Sequence, residues 1–245
     1  FYKNLFDTQT QFMRPRKSDG TWKTPFDPSN VGHSESVGGD YTEGNAWQYT
    51  WHVQHDIPGL IQLFGGKKAF LNKLDSLFTL KLVTTQSDVT GLIGQYAHGN
   101  EPSHHILYLY TMMGQPEKTA KWVREVMTTQ YRNDFDGLSG NEDMGQMSGW
   151  YIMSALGFYQ VEPAGARYWF GSPLVDRAEL TVEGGKFVIE TVNNSEKNIY
   201  IKSITLNGEP HKLPYIEHSD IAKGGTLTIE MSDTPAKWYD ENTIK

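Results

Sequence analysis

The sequence predicts an α+β fold, with helices in its first part and strands in its last part. Apolar residues recur at helical spacing from Ala46 to Gly157. After Phe158 they alternate with polar residues, which is the period of a β-strand, and turn dipeptides separate the alternating runs. We therefore predict a helical part at residues 1–160 and an antiparallel β-sandwich part at residues 161–245.

Residues 1–45 are predicted to form long loops. Prolines and glycines interrupt every periodic pattern there: Pro15, Gly20, Pro25, Pro28, Gly32, Gly38 and Gly39. A loop of this length inside a compact protein is usually functional or disordered.

The helical part is predicted to contain short helices joined by glycine-rich loops, an arrangement typical of helical hairpins. Proline is well suited to a first helical turn, so one helix is predicted from Pro116 to about Tyr131. Another is predicted from Asp143 to Leu156, ended by Gly157. The remaining apolar positions at helical spacing are Trp47, Trp51, Ile57 to Leu63, Phe70, Leu74, Leu77, Ile106, Leu109, Tyr110 and Met113.

Four alternating runs predict the strands of the β part. They are Ala178–Val182, Lys186–Glu190, Asn198–Leu206 and Thr226–Glu230. The dipeptides between them are Gly184-Gly185, Asn207-Gly208 and Gly224-Gly225.

Composition excludes several classes of protein and partner. The chain has a formal net charge of −7 and no Lys or Arg run longer than two, so we predict no nucleic-acid partner. It has no cysteine, which excludes disulfides and a cysteine nucleophile, and no apolar run of membrane-spanning length. The start, Phe1-Tyr2-Lys3-Asn4, resembles no signal peptide and carries no initiator Met, so we expect the chain to begin inside a longer one.

Three polar, glycine-containing segments precede predicted helices, at residues 38–45, 98–105 and 136–143. Each brings carboxylates to a helix entrance. Glu43, flanked by Tyr41 and Trp47, suits a general acid whose pKa is raised by a partly apolar site. The alternative is an acid that offsets the unpaired N–H groups and dipole at a helix N-terminus. The same two interpretations apply to Glu142 and Asp143.

Asn100, Glu101, His104 and His105 could form a metal or sugar site. Oxygen ligands such as Asn and Glu suit calcium. The two histidines are adjacent, not four apart as in a helical zinc pair, so zinc is disfavoured and packed histidines are the alternative. The sequence has no Gly-x-Ser-x-Gly elbow, P-loop or dinucleotide fingerprint, which disfavours the commonest hydrolase, kinase and dehydrogenase mechanisms.

Four segments in this order resemble glycoside hydrolase family 92: Phe12–Arg16, Tyr41–Tyr49, His98–His105 and Gly140–Ser148. The resemblance extends through Tyr168–Pro173. It implies an exo-acting α-mannosidase that inverts the anomeric configuration and uses calcium to bind and distort the terminal mannose. Glu43 would then be the general acid and Asp143 the carboxylate that activates the attacking water.

The same resemblance implies further site residues. The calcium candidates are Asn100, Glu101 and Glu142. The substrate-binding candidates are Glu101, His98, Asn141 and Trp47. Calcium would contact two mannose hydroxyls and help flatten the ring toward its oxocarbenium-like transition state.

The resemblance also implies architecture and location. Family members have an N-terminal β-sandwich, an (α/α)6 toroid and terminal strands, so this chain would hold part of the toroid and those strands. It would lack the N-terminal portion of the enzyme, have an incomplete pocket, and act on glycans in the periplasm or outside the cell. Two alternatives are a non-catalytic carbohydrate-binding fragment and a toroid glycosidase that needs no calcium. The linkage cleaved stays open.

Overall fold

The computed structural model describes residues 1–31, 39–81 and 89–243. The predicted loop glycines Gly32 and Gly38 lie outside the described residues. Two compact units are present: Phe1–His104 with Leu138–Glu142, and His105–Gly137 with Asp143–Lys245.

Helices fill most of the central chain and strands most of the end. The α-helices are α1 Ala46–Tyr49, α2 Ile57–Leu63, α3 Lys67–Thr79, α4 Leu109–Met112, α5 Pro116–Thr129, α6 Gln146–Leu156 and α7 His218–Ala222. The strands are β1 Phe6–Asp7, β2 Phe12–Met13, β3 Leu92–Ile93, β4 Tyr96–Ala97, β5 Phe158–Gln160, β6 Arg167–Phe170, β7 Arg177–Val182, β8 Gly185–Val192, β9 Tyr200–Leu206, β10 Glu209–Pro210, β11 Tyr215–Glu217 and β12 Gly225–Ser232.

The first unit is built around stacked aromatic rings. Trp51 is fully buried and stacks on Phe64 at a centroid distance of 5.5 Å, while Phe70 meets it edge-on at 5.2 Å. Leu74 and Leu77 of α3 are also fully buried, which is the apolar face that their spacing predicts. The short hairpin β3–β4 leads from this core to the second polar segment.

The second unit contains a five-stranded sheet of order β10-β9-β12-β8-β7 and a three-stranded sheet of order β11-β6-β5. Phe170 and Ile216 of the smaller sheet and Phe187, Ile189 and Ile229 of the larger one belong to the same buried cluster. The described part of the chain thus combines helix and sheet, as the predicted class requires. The (α/α)6 toroid, the sandwich arrangement and the division at residue 160 stay predictions.

Two predictions are corrected by the structure. The β part is not wholly antiparallel, because β12 pairs in parallel with β8 from Gly225↔Phe187 to Glu230↔Val192. The helix predicted from Asp143 begins as α6 only at Gln146, because Met144 has φ 55°, a left-handed conformation that ends helical geometry.

Candidate functional site

The Glu43 loop is fixed by the helix that follows it. Asn45 caps α1: its side-chain Oδ1 accepts the Trp47 N–H at 2.9 Å, and Gln48 Oε1 accepts the Asn45 N–H at 2.8 Å. Gln48 Nε2 also donates to the Gln95 carbonyl at 2.6 Å, which joins the cap to the turn of the β3–β4 hairpin. Glu43 lies two residues before the cap. Because the side chain of Asn45 accepts a hydrogen bond from an N–H group at the start of α1, Glu43 is not needed for that role.

Glu43 is solvent-exposed and has φ 53°. A non-glycine residue in this left-handed region is held there by its surroundings. Burial raises the pKa of Tyr49, and the negative charge of Glu43 raises it further. Trp47 and Tyr41 were expected to enclose Glu43 in an apolar site, but the described residues leave its side chain exposed.

Asn100 connects the second polar segment to Glu43. Its Nδ2 donates to the Glu43 carbonyl oxygen at 2.8 Å and lies 3.4 Å from the Glu43 carboxylate Oε2. Its Oδ1 accepts the Glu101 N–H at 3.0 Å and so caps the 3-10 turn at Glu101–Ser103. Only 9% of Asn100 is exposed, so this amide is committed to holding two segments together. Glu101 itself is half-buried.

The third polar segment approaches the second through paired glycines. A side chain at Gly140 would collide with the backbone of Gly99, and one at Gly99 would meet the Ser139 carbonyl. This close approach requires glycine at both positions. Asn141 and Glu142, which follow directly, are exposed. The first unit therefore brings together all three predicted segments up to Glu142.

A buried histidine pair lies behind the second segment. His98 is fully buried and His104 is 2% exposed, with ring centroids 4.9 Å apart. The Tyr96 hydroxyl lies 2.8 Å from His98 Nδ1. His104 Nε2 lies 2.9 Å from the His98 carbonyl, which can only accept, so Nε2 carries a proton.

Burial keeps both histidines neutral at pH 7. It lowers the pKa of His98 well below its usual value, with the neighbouring His104 as a second cause. It lowers the pKa of His104 to about 4, although the bond to His98 and the charge of Glu142 act in the opposite direction. This burial fits an orienting role for His98 better than a direct substrate contact, and its predicted role in substrate binding stays a prediction.

Trp47 is also buried, at 7% exposure. Its ring meets Phe12 edge-on at 4.8 Å, and Lys73 Nζ lies 4.6 Å from the centroid of the Trp47 ring and 3.3 Å from that of Phe12. Burial lowers the pKa of Lys73 to about 8. These contacts occupy the indole in the core, and a substrate contact through Trp47 stays a prediction.

Asp143 begins the second unit's 3-10 turn at Asp143–Gly145 and is exposed. Met144 and Gly145 both have positive φ, so the chain turns sharply between this carboxylate and α6. An exposed carboxylate on a fixed turn can accept a proton from water, which is the predicted role.

The calcium site stays a prediction. Within the described ranges, no group of three or more His, Cys, Asp and Glu side chains could hold a metal ion. Asn100 Oδ1 accepts the Glu101 N–H and has a second lone pair that could contact an ion. Glu101 and Glu142 offer oxygens of the right chemistry, but a six- to eight-coordinate ion needs more donors than these residues provide.

Sequence reasoning missed the residues that hold the loops. The sequence patterns assign no role to Gln48 or Gln95, and they assign Asn100 only to the metal or sugar site. The spacing of Asn45 and Gln48 is a recognisable capping-box signal, since the pair is a cap residue followed three positions later by Gln. No sequence signal indicates that Asn100 faces Glu43, because they are 57 residues apart.

Comparison with known proteins matches residues 1–233 to the family model described as the glycosyl hydrolase family 92 catalytic domain. A family 92 α-mannosidase from Bacteroides thetaiotaomicron, solved with mannoimidazole, is 41% identical with a TM-score of 0.89, over 96% of this chain and 31% of that one. An inverting family 92 mannosidase from the same organism is 36% identical with a TM-score of 0.82, over 96% and 33%.

A curated relative from Arthroderma benhamiae, called an uncharacterized secreted glycosidase, is 27% identical over 93% of this chain and 29% of its own length. The chain thus spans about a third of the length of these relatives. Within the described ranges, no helix is long and apolar enough to cross a membrane.

Proposed function

Because the chain belongs to glycosyl hydrolase family 92, we propose that it carries the acid and base carboxylates of an inverting exo-α-mannosidase. The observation that carries the proposal is 41% identity, over 96% of the chain, to a solved α-mannosidase of the family. A second relative of known structure is named an inverting mannosidase. The substrate would be a glycan with terminal α-linked mannose.

Glu43 would act as the general acid. Protonated, it would donate to the oxygen of the leaving group, and Asn100 would fix the loop through the 2.8 Å bond to the Glu43 carbonyl. Asp143 would accept a proton from the attacking water. An inverting pair needs carboxyl groups about 6.5–9.5 Å apart, with room for that water between them.

The other candidates would bind or support the substrate. Glu101 and Asn141 would accept hydrogen bonds from sugar hydroxyls, and the neutral His98–His104 pair would hold the backbone behind them. Trp47 would supply apolar surface near the Glu43 loop. Calcium dependence is part of the proposal, with Asn100, Glu101 and Glu142 as partial ligands and the remaining donors outside this chain.

Location and extent complete the proposal. An enzyme that removes mannose from glycans would act outside the cytoplasm, and the relative called a secreted glycosidase supports extracellular action. The relatives are about three times as long as this chain, and the proposal assigns the rest of the pocket to an N-terminal portion of the whole enzyme. The mannosidic linkage depends on that portion.

The decisive experiment measures mannose release from an aryl α-mannoside. It compares this chain with a version extended at its N-terminus, each with calcium and with a chelator. We expect calcium-dependent release from the extended version, with anomeric inversion followed by NMR. Glu43→Gln and Asp143→Asn should abolish release and keep sugar affinity. Release that is unaffected by either substitution would refute the assignment of these carboxylates.

A further inference from the structure

The first unit contains a cavity of about 310 Å³. Neither Glu43 nor the second and third polar segments line it. The residues that do are Tyr2, Leu5, Met13, Arg14, Pro15, Asp40, Tyr41, Tyr49, His52 and Val53. This volume is at the lower end of the range for small-molecule sites, which suits one ring and not a long oligosaccharide.

Two tyrosines give the cavity a fixed aromatic wall. The rings of Tyr41 and Tyr49 are 5.5 Å apart and tilted by 44°. The Tyr41 hydroxyl donates to the Met13 carbonyl at 2.5 Å, and the Tyr49 hydroxyl donates to the Thr42 carbonyl at 2.6 Å. Because both hydroxyls are already bonded to backbone, the rings are held in place and offer apolar surface, which suits the C–H faces of a sugar ring.

The charges at the cavity cancel. Arg14 and Asp40 are the lining residues that carry a full charge at pH 7, because burial lowers the pKa of His52 from a value already below 7. Arg14 pairs with Asp7 at 2.9 Å, and Asp40 pairs with Lys23 at 2.6 Å. A lining with one paired charge of each sign attracts no ion, so a neutral ligand is favoured.

The cavity adjoins the predicted acid through the chain. Tyr41 lies two residues before Glu43. Burial, and after it the negative charge of the Glu43 carboxylate, raises the pKa of Tyr49. We infer that the cavity binds a neutral pyranose ring of the glycan other than the mannose that would be cleaved. The choice of a sugar rests on the proposed function, whereas the fixed aromatic wall and the cancelled charges stand independently of it.

The first test follows methyl resonances of the 245-residue chain labelled with ¹³C-methyl methionine. Met13 lines the cavity, and Met231 lies in the buried cluster of the second unit, where it serves as a control. Titration with methyl α-D-mannopyranoside should shift Met13 saturably and leave Met231 unchanged, with Met13→Leu assigning the signal. Mannitol, which has no ring face, should have no effect. A Met13 signal unmoved by the pyranoside would overturn the inference.

The second test fills the cavity. Leu5 is 44% exposed at the end of the 3-10 turn Tyr2–Leu5, so Leu5→Trp adds volume without enlarging a core residue. Ile152→Trp is the matched control, because Ile152 is also an exposed aliphatic residue and does not line the cavity. Leu5→Trp should weaken pyranoside binding at Met13 at least tenfold, while Ile152→Trp should not.

Glu43→Gln separates this inference from the proposed function. It should keep the Met13 response, since Glu43 does not line the cavity. Loss of that response in Glu43→Gln, or unchanged affinity in Leu5→Trp, would show that the sugar binds elsewhere and would overturn the inference. A Met13 response that depends on Leu5, in a protein whose extended version releases no mannose, would uphold the cavity and refute the enzyme.

Discussion

Asn100 offers a direct test of how the Glu43 loop is held. Its side chain has two roles that one substitution can separate: Nδ2 donates to Glu43, and Oδ1 caps the turn at Glu101. Asn100→Asp keeps an acceptor for the Glu101 N–H but replaces the donor with a second acceptor. Asn100→Ala removes both roles.

The magnitudes follow from the contacts. In Asn100→Asp, the Glu43 carbonyl loses its 2.8 Å donor and the carboxylate Oε2 faces a like charge. Because this contact is only partly buried, its loss costs about 0.5–1.5 kcal/mol, the net contribution of a typical hydrogen bond. Asn100→Ala adds the lost cap, about 1 kcal/mol.

Urea unfolding gives the stability change, and mannose release by the extended version gives the functional one. We expect Asn100→Asp to lose about 1 kcal/mol of unfolding free energy and Asn100→Ala about 2 kcal/mol, since only the second variant also loses the cap. We also expect the turnover of both variants to fall roughly 100-fold, because displacing a catalytic group by about 1 Å can lower the rate by that factor. Asn72→Asp is the matched control because Asn72 is exposed on α3 and gains the same charge.

The refuting result is specific. Asp is as good a helix cap as Asn. If Asn100 served only as a cap, Asn100→Asp would retain wild-type stability and turnover while Asn100→Ala lost about 1 kcal/mol. That pattern would show that the contact with Glu43 does not hold the loop.

Three further predictions concern the surroundings of the site. Asp7→Asn should cost about 3 kcal/mol at pH 7 because it leaves a largely buried arginine without its ion-pair partner. Burial alone would raise the Asp7 pKa, but hydrogen bonds from Arg14, Gln9 and Thr10 and the charge of Arg14 together lower it, so the wild-type advantage should disappear as acid titrates Asp7. A stability difference that does not change in acid would contradict this. As the pH falls from 6.5 to about 4, the unfolding free energy should fall by roughly 1.4 kcal/mol per pH unit for each of His98 and His104. The cause is that the unfolded chain binds protons that the folded chain excludes. His104→Gln should halve this slope, as measured by urea unfolding at several pH values. Gly140→Ala should destabilise the chain because the added methyl collides with the backbone of Gly99. The control Gly149→Ala, whose methyl meets open space in α6, should be neutral or stabilising by about 0.5–1 kcal/mol. Equal thermal midpoints of the two variants would refute the close approach of Gly140 and Gly99.

The sequence was informative wherever local chemistry decides the structure. Proline at a first turn correctly predicted where α5 starts, at Pro116. The Asn207-Gly208 pair correctly predicted a tight turn, with φ of 53° and 85° between β9 and β10. Such signals require only neighbouring residues, so no knowledge of the rest of the fold is needed.

Nonlocal pairing was not predictable. Alternation with period two is the same in parallel and antiparallel strands, so the parallel pair β8–β12 has no signature in either run. The hairpin β3–β4 was missed because two-residue strands are too short to show a period. At the site, the motifs predicted the segments that meet, whereas the tether from Asn100 to Glu43 depends on tertiary contact.

Exposed acids and buried polar groups are divided within the candidate site of the first unit. Glu43 and Glu142 are exposed, while Asn45, Gln48 and Asn100 are buried behind them. Burying a polar group costs free energy unless it is hydrogen-bonded, and each of these three residues makes at least two hydrogen bonds of 3.0 Å or less, counting its backbone N–H. Because a satisfied buried network has few alternative arrangements, it fixes the loops that carry these exposed carboxylates.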